Sequence, residues 1–289
     1  MILNDSFAFF RYEPTASLYV TGEDAFVFLQ GQFSNDLRPV RDGNGVYGLW
    51  LNQKGKVLAD SFVVAHGEGF LIFSRESAAT VIRERLEAYI IADDVTLEDA
   101  GGAWSAVALR GAEDAAQSIV SPETGYIVRS RGAAAWEWFF PRAETARVDQ
   151  ALAGAFELTA EQAEQRRIAE GIASVPRDIG PGELPQEGGL DDAVSHQKGC
   201  YLGQEVMARL RAMGQVRRRI FRVRAAGPAP ARGTPLFQGG RQLGEVRSAV
   251  AEGDGFVALA LLTTLNLDAT RALSLGTAEA EPTVGFVVA

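Results

Sequence analysis

Residues 196–210 read HQKGCYLGQEVMARL and contain the only cysteine of the chain, Cys200. The thiolate, not the thiol, is the nucleophile, and its share rises beside a cation or at a helix N-terminus. Lys198 supplies such a cation two residues before the thiol. Leu202, Val206, Met207, Leu210 and Met213 recur at helical spacing, which predicts a helix from about Gly203 with Cys200 just ahead of it. This is the setting of a reactive thiol, although a lone cysteine is also commonly a small buried hydrophobe, and sequence does not report exposure. His196 lies close in sequence, but the base of a Cys/His pair usually comes from a distant segment, and His66 is the only other histidine. Gln204 and Glu205 occupy the first helical turn, where Glu is favoured by free backbone N–H groups, and Glu205 and Arg209 are spaced to pair on one face. One cysteine excludes an internal disulfide and any metal site built from several cysteines, so no permanent metal is expected.

The elements that must position this motif follow from hydrophobic periodicity. In "SLYVTGEDAFVFLQGQFSND", alternating Leu18 and Val20 give a strand, and Thr21 and Asp24 in capping-box spacing open a short helix that Gly31 stops. "VYGLWLNQKGKVLADSFVVAHGEGFLIFS" is a three-strand meander, residues 76–91 a second helix, and "VTLE" a further strand. The sum is close to a split βαββαβ unit. Residues 104–155 repeat that grammar: strand "WSAVALR", helix "AEDAAQSIV", strands "YIVRSR" and "AWEWFF", helix "AETARVDQALAGA". Thr159 and Gln162 cap one more helix, ended at Gly171. The Pro/Gly-rich "IASVPRDIGPGELPQEGGL" is long for a passive connection and reads as a site-forming loop. From Val216 onward, strand-like segments alternate with turns, as in a small antiparallel barrel. The expected division is 1–100, 101–215 and 216–289.

Composition narrows the function. No apolar run approaches the roughly 20 residues that cross a bilayer, and the N-terminus lacks a basic region followed by a cleavage site, so a cytoplasmic protein without membrane contact is expected. A net charge of −9 opposes nonspecific polyanion binding, so direct nucleic-acid binding is not expected. Arg209, Arg211, Arg217, Arg218, Arg219, Arg222 and Arg224 form a local basic stripe that reads first as a solvated strand face. Other polar candidates sit in loops between apolar elements: Asn35, Asp36, Gln53, Lys54, Asp178 and Gln186.

Lys198-Gly199-Cys200-Tyr201-Leu202-Gly203-Gln204-Glu205 resembles the KGCYxGQE signature of the YgfZ family, folate-binding relatives of the glycine-cleavage T protein that support iron–sulfur enzymes. The resemblance continues through "FLQGQFSND", "LNQKGKVLAD", "RRIAEGIASVPRDIGPGELPQE" and "GEVRSAV", and residues 167–219 are especially similar to the mitochondrial iron–sulfur assembly branch. It implies an α+β, aminomethyltransferase (T-protein)-like fold: two ferredoxin-like halves and a C-terminal antiparallel β-barrel around a central opening. Tetrahydrofolate or another reduced folate is the implied ligand, with contacts from Asn35, Asp36, Gln53, Lys54, Arg167, Gln186 and Arg209. The motif residues Lys198, Gly199, Cys200, Tyr201, Gly203, Gln204 and Glu205 are the implied working site, with Cys200 as the thiol, Lys198 lowering its pKa and Tyr201 near the opening. Implied partners are iron–sulfur proteins or assembly factors, with tRNA modification affected indirectly. The chain departs from T proteins where their R-x-E-x-G pattern carries Glu, since Ala169 stands there, and "GFLIFSRESAA" offers no match to their catalytic Asp. Three functions follow: a folate-dependent accessory factor for iron–sulfur proteins, a one-carbon transferase with its own turnover, or a non-catalytic scaffold. The thiol chemistry stays open among one-carbon acceptance, reduction of a partner and transient bridging of iron.

Overall fold

A computed structural model describes residues 7–42, 44–111, 125–214 and 216–287. Strand β1 (Ala8–Tyr12) is followed by β2 (Ala16–Thr21), helix α1 (Ala25–Gln32), the meander β3 (Val46–Leu51), β4 (Val57–His66) and β5 (Gly69–Ser74), helix α2 (Ala79–Glu87) and β6 (Thr96–Asp99). Sheet order β3-β4-β5-β2-β6 is that of a split βαββαβ unit with β3 added at one edge. Asp24 is the N-cap residue of α1, but its carboxylate accepts from the Asp94 backbone (2.8 Å) instead of from the helix, and Thr21 remains in β2. The expected capping box is therefore not formed. Helix α2 spans less than the 76–91 expected, and its start is delayed because Ser77 is drawn away: its N–H donates to Ser74 Oγ (3.0 Å) and its hydroxyl to Asp60 (2.7 Å).

The second sheet comprises β7 (Trp104–Arg110), β8 (Tyr126–Arg129), β9 (Ala135–Pro141) and β10 (Phe156–Glu157), ordered β10-β1-β7-β9-β8. It repeats the first pattern with β1 inserted between its outer and first strands. The N-terminal strand thus pairs with β7, whereas the expected division assigned it to the first half. Helix α3 (Thr145–Ala151) covers this sheet, and the helix expected at "AEDAAQSIV" lies outside the described residues.

The sheets pack face to face, with Phe62, Val64, Leu71 and Phe73 meeting Trp104, Val128 and Phe139, and Phe73 stacked on Phe139 at 4.3 Å. The opposite face of the first sheet buries Leu18, Val20, Trp50, Val63 and Ile72 beneath α1 and α2. Burial on both faces is why "FVVA" and "FLIF" read as unbroken apolar runs rather than alternating ones.

Helix α4 (Ala160–Ala169) carries the capping box expected of Thr159 and Gln162, with both reciprocal hydrogen bonds made. Helix α5 (Gln204–Met213) follows the Pro/Gly-rich segment. Strands β11 (Arg218–Ala226), β12 (Pro235–Gln238), β13 (Arg241–Glu252), β14 (Gly255–Thr263), β15 (Leu273–Leu275) and β16 (Pro282–Phe286) close into an antiparallel barrel filled by Val223, Leu236, Val246, Phe256, Leu262 and Val284. Closure leaves no free strand edge. No helix among the described residues is long and apolar enough to cross a membrane.

Candidate functional site

The Pro/Gly segment packs like a core: Ala173, Val175, Ile179, Leu190, Ala193 and Val194 join Leu49, Leu51, Val57, Tyr201, Met207 and Leu261 in one buried cluster. It delivers the chain to Lys198–Glu205 in a fixed position. Gly203, at φ +87°, precedes α5, and a Cβ there would lie 2.9 Å from the Asn52 carbonyl oxygen. The β3–β4 turn and the motif are thus in backbone contact, which only glycine permits.

Four hydrogen bonds join the motif and the nearby Ser195 to the last turn of α1 and the segment after it. Ser195 N–H donates to the Ser34 carbonyl (3.0 Å), Leu202 N–H to that of Gly31 (3.2 Å), and Lys198 Nζ to those of Phe33 (2.7 Å) and Asn35 (2.8 Å). Burial pushes the Lys198 amine down to about 7, against the opposing pull of Asp36. Lys198 also lies 5.2 Å from the centroid of the Tyr201 ring, and burial pushes the Tyr201 phenol up to about 12. Gln204 Oε1 accepts from Tyr201 N–H (3.2 Å) and so secures the loop. Cys200 projects from this braced loop as an exposed free thiol. The expected role for Lys198 needs revision: two of its ammonium donors are committed to backbone carbonyls, which makes it an anchor of the loop.

A cavity opens between the two sheets, α4 and the start of the Pro/Gly segment. Its apolar wall includes Phe10, Phe62, Leu158 and Val175, and its charged wall Asp60, Arg75, Glu76, Arg110, Arg131, Glu137, Arg166 and Arg167. Asp60 accepts hydrogen bonds from Tyr47 (3.0 Å), Ser74 (2.9 Å) and Ser77 (2.7 Å), yet burial outweighs them and raises its pKa. Glu137 accepts from Tyr12 (2.9 Å) and Ser130 (2.7 Å). Burial, followed by the neighbouring carboxylates, raises both Tyr47 and Tyr12 well above the usual phenol range. The cavity therefore presents the protonated Tyr47 phenol and hydrogen-bonded carboxyl groups beside arginines, with Tyr12 reaching Glu137 from outside the wall.

Arg167 pairs with the fully buried Asp178 (2.6 Å) and with Glu164 (2.6 Å), while Asp178 also accepts from Ser174 N–H (2.8 Å) and from Ser248 on β13. Burial works against the Arg167 charge, but Glu164 and Asp178 outweigh it and raise its pKa. Arg177 links Glu164 (2.9 Å) to Glu76 (3.0 Å), so one charged network joins cavity wall and barrel.

The residues named from sequence are distributed unequally. Arg167 lines the cavity. Asn35 does not, but its amide donates to the Tyr47 carbonyl (2.8 Å) and so supports a residue that does. Asp36 is held to Arg38 (2.8 Å), whose hydrogen bonds keep its pKa far below the carboxylate range. Gln53 reaches Tyr89 (3.3 Å), Lys54 is exposed, and Gln186 donates to Met207 Sδ (3.5 Å). Glu205 and Arg209 are exposed and form no ion pair with each other. None of these, nor Cys200, is in the cavity wall. The arginine stripe also divides: Arg218 binds Glu187 (2.9 Å) and Arg222 the Ala169 carbonyl, while Arg209, Arg211, Arg217, Arg219 and Arg224 are exposed. No group of three or more metal-ligating side chains occurs among the described residues.

Sequence reasoning missed Tyr47, Asp60, Glu76, Arg131 and Glu137, which five separate segments bring to the cavity. A signal existed for two of them. Asp60 interrupts "VLADSFVV" and Glu137 interrupts "AWEWFF", and a carboxylate within a buried strand is costly enough to need a reason.

Comparison with known proteins gives consistent results for the whole chain. Residues 4–125 match the GCVT N-terminal domain, and residues 217–285 match the CAF17 C-terminal beta-barrel domain. The human mitochondrial iron–sulfur cluster assembly factor IBA57 is 31% identical, over 89% of this chain and 78% of that protein. The tRNA-modifying protein YgfZ of Escherichia coli O157:H7 is 27% identical, over 86% of this chain and 83% of that one. In three dimensions, the glycine cleavage system aminomethyltransferase T of Bartonella henselae superposes with a TM-score of 0.77 at 18% identity, covering 98% of this chain and 85% of that one. The aminomethyltransferase-like fold expected from the motif is thereby established.

Proposed function

The chain belongs to the family that includes the iron–sulfur cluster assembly factor IBA57 and the tRNA-modifying protein YgfZ, and we propose that it is a reduced-folate-binding accessory factor for iron–sulfur proteins. The observation that carries this reading is the similarity to IBA57 over 89% of this chain, combined with an exposed Cys200 on a braced loop. Effects on tRNA modification follow indirectly, through iron–sulfur enzymes.

The donor set of the cavity suits a reduced folate. Its wall offers aromatic and aliphatic surface from Phe10, Phe62 and Val175 for a pterin ring, carboxyl groups of Asp60 and Glu137 for ring N–H donors, and Arg75, Arg110, Arg131 and Arg166 for the glutamate carboxylates. When bound, the folate supplies one-carbon or reducing chemistry. The protein's own residues bind it, hold the Asp60 carboxyl against it and shield the ring from water. Communication with Cys200 has a physical route, since Lys198 bonds the Asn35 carbonyl, the Asn35 amide bonds the Tyr47 carbonyl, and the Tyr47 hydroxyl bonds Asp60.

The test pairs a gene deletion with calorimetry. Loss of the gene should depress [4Fe–4S] enzyme activities, wild type should restore them and Cys200→Ala should not. Purified protein and the Cys200→Ala variant should both bind tetrahydrofolate. Full rescue by the variant would remove the thiol from the mechanism, and absence of folate binding would leave the scaffold reading. The Asp60 carboxyl in the cavity wall favours one-carbon transfer as a second reading. That reading requires methylenetetrahydrofolate to form from an aminomethyl donor.

A further inference from the structure

Helix α1 begins with five consecutive apolar residues, Ala25–Leu29, and at 100° per residue such a run faces every direction. The sheet can bury only one side: Ala25, Phe28 and Leu29 are buried, while Val27 is 71% exposed. A helix apolar around its whole circumference is normally covered on all sides. Ile91, four residues beyond the end of α2, is 90% exposed. The chain just beyond it is fastened to the start of α1, where Asp94 N–H donates to Asp24 (2.8 Å) and Glu23 N–H to Asp94 (3.2 Å). These ties gather exposed Glu23, Asp24 and Asp94, with Asp93 next to it in the chain, at the start of α1, three residues from Val27 along the helix and three from Ile91 along the chain, and among the described residues none of the four takes part in an ion pair.

The outward face of α1 also leads to the thiol. Gly31 stands four residues after Val27 on the same helical face, about 6 Å along the axis, and a Cβ there would meet nothing within 4 Å. Its carbonyl accepts from Leu202 N–H, two residues beyond Cys200.

We propose that this face docks the protein partner on which Cys200 acts, through a basic segment carrying apolar side chains that cover Val27 and Ile91. The inference rests on the proposed role in iron–sulfur assembly. Charge complementarity selects the partner: the acidic rim repels nucleic acid and anionic membrane, and a symmetric second copy would set carboxylates against carboxylates.

A photo-crosslinking residue in place of Val27 or Ile91, in cells lacking the chromosomal gene, tests this. Leu265, 64% exposed on the barrel side, serves as the control position. Positions 27 and 91 should yield the same protein adduct, mapped to a peptide with net positive charge, and position 265 should not. Val27→Glu in the chain crosslinked from position 91 should cut adduct yield about tenfold and reduce restoration of [4Fe–4S] enzymes. Its melting temperature and tetrahydrofolate affinity should match wild type. Equal adducts from position 265, adducts to nucleic acid or to a second copy, or undiminished yield and restoration with Val27→Glu would each overturn the proposal. Failure of wild type itself to restore the enzymes would instead overturn the functional reading, while the adducts still decide the docking surface.

Discussion

Lys198 Nζ lies 2.8 Å from the carbonyl oxygen of Asn35, and that bond joins the cysteine loop to the residue that supports Tyr47. Burial lowers the lysine from 10.5 to about 7, so below about pH 7 the folded and unfolded chains both hold this proton. As pH rises from there toward 10.5, only the unfolded chain retains it, and linkage makes stability rise. Urea unfolding between pH 7 and 9 should therefore show wild type gaining stability relative to Lys198→Met. Parallel curves for the two proteins would rule out the buried ammonium.

The same linkage runs in the opposite direction at Asp60. Its raised pKa means that the folded chain holds a proton which the unfolded chain has released, so this contribution is present at low pH and lost as pH rises through the folded value. Asp60→Asn keeps the shape without the ionisation, and its melting temperature at neutral pH should equal or exceed that of wild type. Tetrahydrofolate affinity should nevertheless fall about tenfold, a loss of ~1.4 kcal/mol, because an amide cannot replace a carboxyl facing ring donors. A destabilised variant with normal affinity would assign Asp60 to structure alone.

The legible and illegible parts of the molecule differ for a physical reason. Strand alternation, the Thr159 box, Gly171 and the barrel turns are local, and each appears where periodicity places it. The KGCYLGQE motif is contiguous, so its family was also readable. The cavity is not local: Asp60 and Glu137 come together only because two sheets pack face to face, and nothing near either residue announces the other. Spacing suggested that Lys198 serves Cys200, whereas the fold supplies carbonyl oxygens from residues 33 and 35. Neighbours in sequence compete with neighbours in space, and buried donors take the nearest acceptors.

Arg167 and Asp178 form a buried pair 2.6 Å apart, with side chains 12% and 0% exposed. Removing Asp178 leaves Arg167 with Glu164 alone, at a cost near the lower end of the ~3–5 kcal/mol of a broken buried pair, whereas removing Arg167 and Asp178 together takes both charges out. Asp178→Ala should lower stability by about that amount in chemical denaturation, and Arg167→Met with Asp178→Leu should recover part of it. Because Ser248 of β13 donates to Asp178, the loss should also increase hydrogen exchange in the barrel. Equal costs for the single and double variants would deny the pair its electrostatic role.

Gly203 tests whether the thiol must be held where it is. Its φ of +87° strains any L side chain, and an added Cβ would press on the Asn52 carbonyl at 2.9 Å. Gly203→Ala should cost ~1–3 kcal/mol and should displace the start of α5 from the β3–β4 turn. Cys200→Ala, at an exposed position, should change stability by no more than ~0.5 kcal/mol. Both variants should fail to restore [4Fe–4S] enzymes, for different reasons. Gly203→Ala keeps a thiol that a chromogenic disulfide still titrates, at an altered rate, so its failure would isolate position from chemistry. Full restoration by Gly203→Ala, with its stability lowered as expected, would show that the thiol works without a fixed loop.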